Sequence, residues 1–226
     1  MTVVLHHACS SMPAQSVRLA LAFKGVPHRA EPFGADADAL FFELGIAVAP
    51  LVLRLDDDVH TDPEQILLNL DRWCGGRAIF DGCVPLEIWN VLQAWRSRNA
   101  PLLERLTAPV LPAFVDVGGS ADSLAAYKAE VRRRFGVSVE ELSNDRYDAY
   151  RQLERTADLK GLARRLARER WFAAGEPTAA DFALACDLFP LQLLDGVTLP
   201  IDLMYYIQRV ETACRASPRE GLLISA

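Results

Sequence analysis

The chain has 226 residues, of which 51% are hydrophobic, and its formal net charge is −6. This composition excludes a mainly disordered chain and leaves room for one large domain or two small ones, each with its own core. A net acidic surface neither releases counterions from nucleic acid nor attracts an anionic membrane, so we expect a small molecule or a protein as the partner.

The cysteines and histidines bear on metal sites and on the cellular compartment. The five cysteines lack the CxxC spacing of zinc sites and dithiol centres. Only His6 and His7 are adjacent, and neighbours on a strand point to opposite faces. Residues 1–5 do not resemble a signal peptide, and no run approaches the about 20 apolar residues of a membrane helix. We therefore expect no metal and a cytoplasmic protein.

The first 76 residues alternate strand and helix signals. The apolar runs and turn residues predict strands at 3–5, 29–32, 51–55 and 59–60, a helix at 14–24 and a short helix at 41–44. The first strand, helix and second strand form a β-α-β unit, which predicts a parallel pair of strands.

A further helix is predicted from Asp62 onward, because the local signals for a helix start are complete there. Asp62 is an acidic N-cap, Pro63 suits the first helical position and Gln65 occupies the capping-box position.

Beyond residue 76 the strand signals vanish and helical periodicity continues to the end. We predict helices at 86–106, 121–135, 139–170, 178–193 and 201–215. The pair Thr178 and Asp181 forms a capping box, which we interpret as structural. The glycine pair at 75–76 and the stretch 77–85 predict a linker between domains 1–76 and 86–226.

Three segments of this chain carry a resemblance to a known superfamily. They are 11–27, with its Val-Arg-x-x-Leu core, then Val48-Ala49-Pro50-Leu51-Val52, and 175–184, which opens with the capping box. In this order and spacing, the chain resembles the glutathione transferases over nearly its whole length. The segments 132–142 and 171–176 look like the bacterial transferases related to β-aryl etherases.

The resemblance implies a fold and a partner for each domain. The fold is α/β plus all-α, a thioredoxin-like glutathione-binding domain at 1–76 followed by an all-helical domain at 86–226. Glutathione is the implied cosubstrate, a small hydrophobic electrophile the second substrate, and a homodimer the implied assembly.

Catalysis in this superfamily depends on a hydroxyl near the start of the first helix, which stabilises the glutathione thiolate. A free thiol with a pKa of about 8.5 is only slightly ionised at neutral pH, whereas a hydroxyl donor and the positive end of a helix favour the anion. The resemblance places Ser11 at this position. Ser10 and Cys9 remain open, because a one-residue difference in the loop transfers the role, and Cys9 would imply glutathione-dependent reduction or disulfide exchange.

The same resemblance implies the glutathione-binding residues Ser10, Ser11, Ala49, Pro50, Asp62 and Pro63. Ala49, before a proline that is cis in the family, presents its backbone to the cysteinyl part of glutathione as an added strand does. Asp62 is the acid that recognises the γ-glutamyl end. Pro63 replaces the family's serine, which removes a hydroxyl and a backbone amide at the helix N-terminus.

We therefore expect a glutathione transferase that transfers the thiolate to a hydrophobic electrophile. Pro63, and the ambiguity over which of Ser10 and Ser11 occupies the catalytic position, leave a second function open. It is a non-catalytic binding or regulatory protein of the same fold. A thiol reductase using Cys9 is the third.

Overall fold

A four-stranded mixed sheet forms the first part of the chain, in a computed structural model that describes residues 1–34, 37–173 and 175–223. The strands are β1 (Val3–His7), β2 (Arg29–Pro32), β3 (Leu51–Leu55) and β4 (Asp58–His60), and they lie in the order β2-β1-β3-β4. β1 pairs in parallel with β2 and antiparallel with β3, which in turn pairs antiparallel with β4. The predicted β-α-β unit is thereby confirmed.

Three helices accompany the sheet: α1 (Met12–Lys24), α2 (Ala37–Leu44) and α3 (Pro63–Trp73). α1 begins at Met12, earlier than predicted, because Ser11 caps it and Pro13 fits its first turn. It ends at Gly25, whose φ of 71° lies in the left-handed region that glycine adopts without a steric penalty. α3 begins as predicted, with Asp62 as its N-cap.

The remaining part of the described chain is helical. Its helices are α4 (Leu86–Thr107), α5 (Val115–Gly118), α6 (Ala121–Phe135), α7 (Val139–Asn144), α8 (Arg146–Thr156), α9 (Leu159–Glu169), α10 (Ala179–Leu188) and α11 (Ile201–Cys214). Single 3₁₀ turns precede α5 and follow α10. Ala174 and the last three residues of the predicted second domain, 224–226, lie outside the described residues.

The region predicted as one helix over 139–170 contains three helices, so that prediction was wrong. The helix axis breaks at Asp145 and again at Asp158, which adopts a φ of 46°. The Asp158 carboxylate accepts a hydrogen bond from the Gly161 N–H at 3.1 Å and so caps α9. α8 packs on α4 and α9 packs on α11, and the chain therefore turns where no proline or glycine marks a break.

The predicted helix over 178–193 is also shorter than expected. α10 ends at Leu188, and the next residues form a 3₁₀ turn that contains Pro190. Proline lacks the amide proton of the helical ladder and its ring clashes with the carbonyl four residues earlier, so the α-helix cannot continue through it.

One hydrophobic core joins the sheet-containing part to the helical part. α1 packs on α10 more extensively than on the sheet, and the rings of Phe23 and Phe182 lie 5.4 Å apart across this contact. Leu19 and Leu184 are fully buried in the same cluster. The shared core fixes the two parts relative to each other, so the cleft between them has a defined shape.

Candidate active site between the sheet edge and the helices

Three of the predicted site segments lie at one edge of the sheet, the edge formed by the strand ends where β1 finishes and β3 begins. The loop after β1 reaches the start of β3, where the Ala8 N–H donates to the Pro50 carbonyl at 3.0 Å. β4 runs antiparallel to β3 with His60 opposite Leu53, so the chain beyond His60 returns toward the start of β3. Asp62 follows there, at the start of α3. The topology therefore brings the segments that contain Ser11, Ala49 and Asp62 to the same edge.

Ser11 caps α1 and keeps its hydroxyl proton available. Its Oγ accepts a hydrogen bond from the Ala14 N–H at 3.3 Å, and its backbone carbonyl accepts from Gln15 at 2.9 Å. A hydroxyl has one proton and two lone pairs, so capping uses only an acceptor site. Within the described residues, nothing accepts the Ser11 hydroxyl proton. Ser11 therefore combines a free donor with the positive end of a helix.

Ser10 makes different contacts from its neighbour. Its Oγ donates to Oδ2 of Asp116 at 2.6 Å, and its backbone N–H lies 3.1 Å from both oxygens of the same carboxylate. The Ser10 hydroxyl proton is thus committed to an acid in the helical part. Sequence reasoning missed Asp116, because 106 positions separate the two residues and no local pattern connects them.

Cys9 is fully buried and its thiol is unsuited to ionisation. Burial raises its pKa to about 11, and the negative charges of Asp116 and Glu220 act in the same direction. Gly221 lies directly over it, since a Cβ built on that glycine would approach the Cys9 sulfur to 2.5 Å. At neutral pH such a thiol stays protonated and out of contact with solvent.

The expectation of a cis proline at Pro50 was wrong, because no peptide bond of the described residues is cis. The trans form is the more stable one for an X-Pro bond, by about 0.5–1 kcal/mol. Ala49 still leaves its backbone unpaired, since neither its N–H nor its C=O is hydrogen-bonded to any residue that the structure describes.

Asp62 and Pro63 form the start of α3 as their sequence predicts. Oδ1 of Asp62 accepts from the N–H groups of Glu64 at 2.9 Å and Gln65 at 3.1 Å. Oδ2 accepts no hydrogen bond from the described part of the chain, and Asp62 is exposed. The carboxylate is therefore both a helix cap and an accessible anion.

A cavity of about 440 Å³ separates the Ser10-Ser11 loop from the helical part. One wall is residues 10–13, and the opposite wall is α4 together with the end of α10. Its apolar lining residues are Met12, Pro13, Ala100, Leu103, Leu111 and Pro190. The cavity therefore offers Ser10 and Ser11 on one side and an apolar surface on the other.

The cavity lining also includes an ion pair. Arg96 of α4 donates through Nε to Oδ2 of Asp187 at 2.7 Å, and both residues line the cavity. Burial raises the pKa of the Asp187 carboxyl, although the adjacent Arg96 acts in the opposite direction. The ion pair bridges two helices and places polar atoms where a bound molecule would meet them.

Four aromatic residues with helical spacing in the sequence lie away from this cavity. Trp89 and Phe114 are buried in the core. The Trp95 Nε1–H donates to the Ala157 carbonyl at 3.0 Å, and the Tyr127 hydroxyl donates to that of Ala108 at 2.8 Å. These side chains stabilise helix packing.

Solved structures match this fold over nearly its full length. Glutaredoxin 2 of Salmonella typhimurium, in complex with glutathione, has a TM-score of 0.71 at 16% identity and covers 99% of each chain. A glutathione transferase of Ceriporiopsis subvermispora, also in complex with glutathione, has a TM-score of 0.70 at 13% identity, covering 94% of this chain and 98% of that one. No protein-family model and no curated protein matches the sequence.

The strand order, the helical second part and these matches agree on one architecture. This protein has the glutathione transferase fold. Of the predicted site residues, Ser10 and Ser11 line the cavity against α4. Ala49, Pro50, Asp62 and Pro63 are not among the residues that line it. The relation to β-aryl etherases stays a prediction.

Two further observations concern the described part of this glutathione transferase fold. None of its helices is long and apolar enough to cross a membrane. Residues 1–34, 37–173 and 175–223 also contain no cluster of three histidine, cysteine or acidic side chains arranged to hold a metal ion.

Proposed function

We propose that this protein binds glutathione at the sheet edge and transfers its thiolate to a hydrophobic electrophile in the adjacent cavity. The observation that carries the proposal is the Ser11 hydroxyl, which lines the cavity, caps α1 and has an uncommitted proton. Its donor and the helix N-terminus both favour the ionised form of a sulfur placed beside them.

Glutathione supplies the nucleophile of the reaction, and the electrophile supplies the leaving group. The thiol proton passes to solvent, and the Ser11 hydroxyl donates a hydrogen bond to the resulting thiolate. The sulfur lone pair then forms a bond to the electrophilic carbon, and the leaving group departs with its bonding electrons. The apolar wall of the cavity, with Met12 and Leu103, provides the surface for a hydrophobic substrate.

Glutathione itself would be held by the other predicted residues. The free N–H and C=O of Ala49 match the backbone of the cysteinyl part, and the exposed Oδ2 of Asp62 matches the γ-glutamyl ammonium. Pro63 offers a ligand neither a hydroxyl nor a backbone N–H. The loss of one hydrogen bond to a charged group weakens binding by about ten- to a hundredfold, so we expect weak binding.

Pro63 also favours the second function, a non-catalytic binding or regulatory protein of this fold. The third function, a thiol reductase using Cys9, is disfavoured by the burial of that thiol and by its pKa of about 11. A homodimer and a cytoplasmic location are part of the proposal, and light scattering of the purified protein checks the former.

Calorimetric titration with glutathione up to several millimolar tests the proposal, together with turnover of a chlorinated nitroaromatic. The pH dependence of the bound thiolate's ultraviolet absorbance is then compared between wild type and Ser11→Ala. We expect Ser11→Ala to bind glutathione but to raise its thiol pKa by about 1 to 2, since one hydrogen bond to the anion is lost.

Ser11→Thr is the matched control, because it retains both the hydroxyl and the N-cap. Absence of glutathione binding would overturn the proposal. Binding without turnover would favour the non-catalytic protein, and loss of activity in Cys9→Ala with Ser11→Ala unaffected would favour the reductase.

A further inference from the structure

The carboxylate of Asp116 in the helical part binds the loop before α1. It accepts the Ser10 hydroxyl at 2.6 Å and the Ser10 N–H at 3.1 Å, so it satisfies both donors of that residue. Hydrogen bonds to an ionised acceptor are stronger than those between neutral groups. Ser10 is not the N-cap of α1, so helix capping does not account for this contact.

The position of Asp116 is fixed from its other side. It lies on α5, and the N–H of the preceding residue, Val115, donates to the Gly221 carbonyl at 2.7 Å. The neighbouring Phe114 is fully buried and pairs with Leu222 in an antiparallel bridge. The C-terminal segment is in turn held to α1 by the ion pair of Arg18 with Glu220. The acid is thus a rigid anchor for the loop.

This anchor distinguishes two adjacent serines that are otherwise alike. Ser10 has no donor left for a ligand, whereas the Ser11 hydroxyl remains available. The Ser11 N–H also donates to the Ala8 carbonyl at 3.2 Å, which closes the turn between the two fixed ends. We propose that Asp116 is a positioning residue that holds Ser10 and thereby presents Ser11 to the glutathione sulfur.

This positioning role of Asp116 rests on the proposed function. The charge of the same carboxylate opposes thiolate formation, and the two effects can be measured separately. The negative charge of Asp116 raises the pKa of the nearby Cys9 thiol, second only to burial, and it acts in the same sense on any sulfur beside Ser11. Positioning and charge therefore have opposite effects on thiolate formation. Asparagine keeps a carbonyl acceptor for Ser10 and removes the charge, whereas alanine removes both.

Three variants separate these effects: Asp116→Ala, Asp116→Asn and the double variant Ser10→Ala with Asp116→Ala. Asp122→Ala, which removes an exposed acid of α6, is the control for net charge. We expect Asp116→Ala to lower kcat at least about tenfold with a smaller change in KM for glutathione. The double variant should be no worse than Asp116→Ala, since the acid acts through Ser10.

Asp116→Asn should restore most of kcat and shift the pH profile of kcat/KM to a lower apparent pKa. A merely structural role would not move that profile. Equal kcat in wild type and Asp116→Ala, or additive losses in the double variant, would overturn the positioning role.

Amide hydrogen exchange of residues 8–14 provides a readout that needs no glutathione. We expect faster exchange in Asp116→Ala and near wild-type exchange in Asp116→Asn and Asp122→Ala. Unchanged exchange in Asp116→Ala shows that the acid does not hold the loop and refutes the proposal, whatever the enzyme does. Faster exchange in a protein that neither binds nor turns over glutathione identifies the proposed function as the failing step, and the role toward sulfur falls with it.

Discussion

Asp71 anchors the segment between α3 and α4 to the end of α1, and its replacement by asparagine tests that contact. Its carboxylate lies 2.6 Å from the ammonium of Lys24 and accepts the N–H groups of Ile79, Phe80 and Asp81. The side chains of Asp71 and Lys24 are 7% and 1% exposed. Asp71→Asn leaves the shape unchanged and removes the negative charge.

The expected loss of stability follows from what remains after the substitution. The Lys24 ammonium then faces neutral acceptors, the asparagine carbonyl oxygen and the Arg77 carbonyl at 2.8 Å, and it loses its counter-charge. Breaking a buried ion pair on one side costs about 3–5 kcal/mol. A domain of ordinary stability unfolds with only about 5–15 kcal/mol, so the variant should lose a large part of its free energy of unfolding.

Urea unfolding followed by circular dichroism measures this difference. Lys160→Gln is the surface control, since Lys160 is exposed and its partner Glu154 is partly exposed, and we expect at most about 1 kcal/mol there. Lys24→Met should cost less than Asp71→Asn, because the carboxylate keeps three backbone donors. A loss below about 1 kcal/mol in Asp71→Asn would refute the reasoning.

The same pair predicts a dependence on pH. Burial tends to raise the pKa of Asp71, but the hydrogen bonds from Lys24 and three backbone amides outweigh it, and the pKa is lowered. The stabilisation is therefore complete above the ordinary value of 3.8 and is lost as the pH falls through the lower folded-state value. Asp71→Asn should lack this loss below about pH 4.

Two further predictions concern groups buried beside the loop. Gly221→Ala places a Cβ 2.5 Å from the Cys9 sulfur at a φ of 82°, so the segment over Cys9 must shift. Cys9 should therefore react faster with a thiol reagent than in wild type, as followed by peptide mass spectrometry. Gly45→Ala, where the added Cβ meets open space, should leave this rate unchanged. Burial, and after it the positive charge of Arg18, lower the pKa of His7 from 6.5. The unfolded chain therefore takes up a proton at His7 before the folded protein does, and wild type should lose stability as the pH falls below about 6.5. His7→Leu should lose less, and thermal midpoints of the two proteins that change in parallel with pH would contradict this.

Local chemistry accounts for the parts of the fold that the sequence predicts correctly. Asp62 and Gly25 mark helix ends because capping depends on a residue and its neighbours within one turn. The strand at 51–55 follows from an apolar run, and the returning strand predicted at 59–60 follows from the aspartates before it; the structure extends that strand by one residue, to Asp58. Such signals do not depend on where the rest of the chain lies.

The failed predictions have a different origin. The helix predicted over 139–170 is divided at Asp145 and Asp158, because α8 packs on α4 whereas α9 packs on α11. The helical periodicity of apolar residues in the sequence is continuous across both breaks. The expectation of a cis bond at Pro50 came from the resemblance alone, and the local sequence does not determine which isomer forms.

The sequence by itself determined the order of the strands and of most helices, the helix ends at Asp62 and Gly25, and the identity of the hydroxyls near α1. Only the tertiary structure decided which hydroxyl is free, because Asp116 reaches Ser10 across 106 positions. It also decided that the C-terminal segment covers Cys9, and that Arg96 and Asp187 meet in the lining of the cavity. Contacts of this kind depend on the packing of distant elements, which no local pattern specifies.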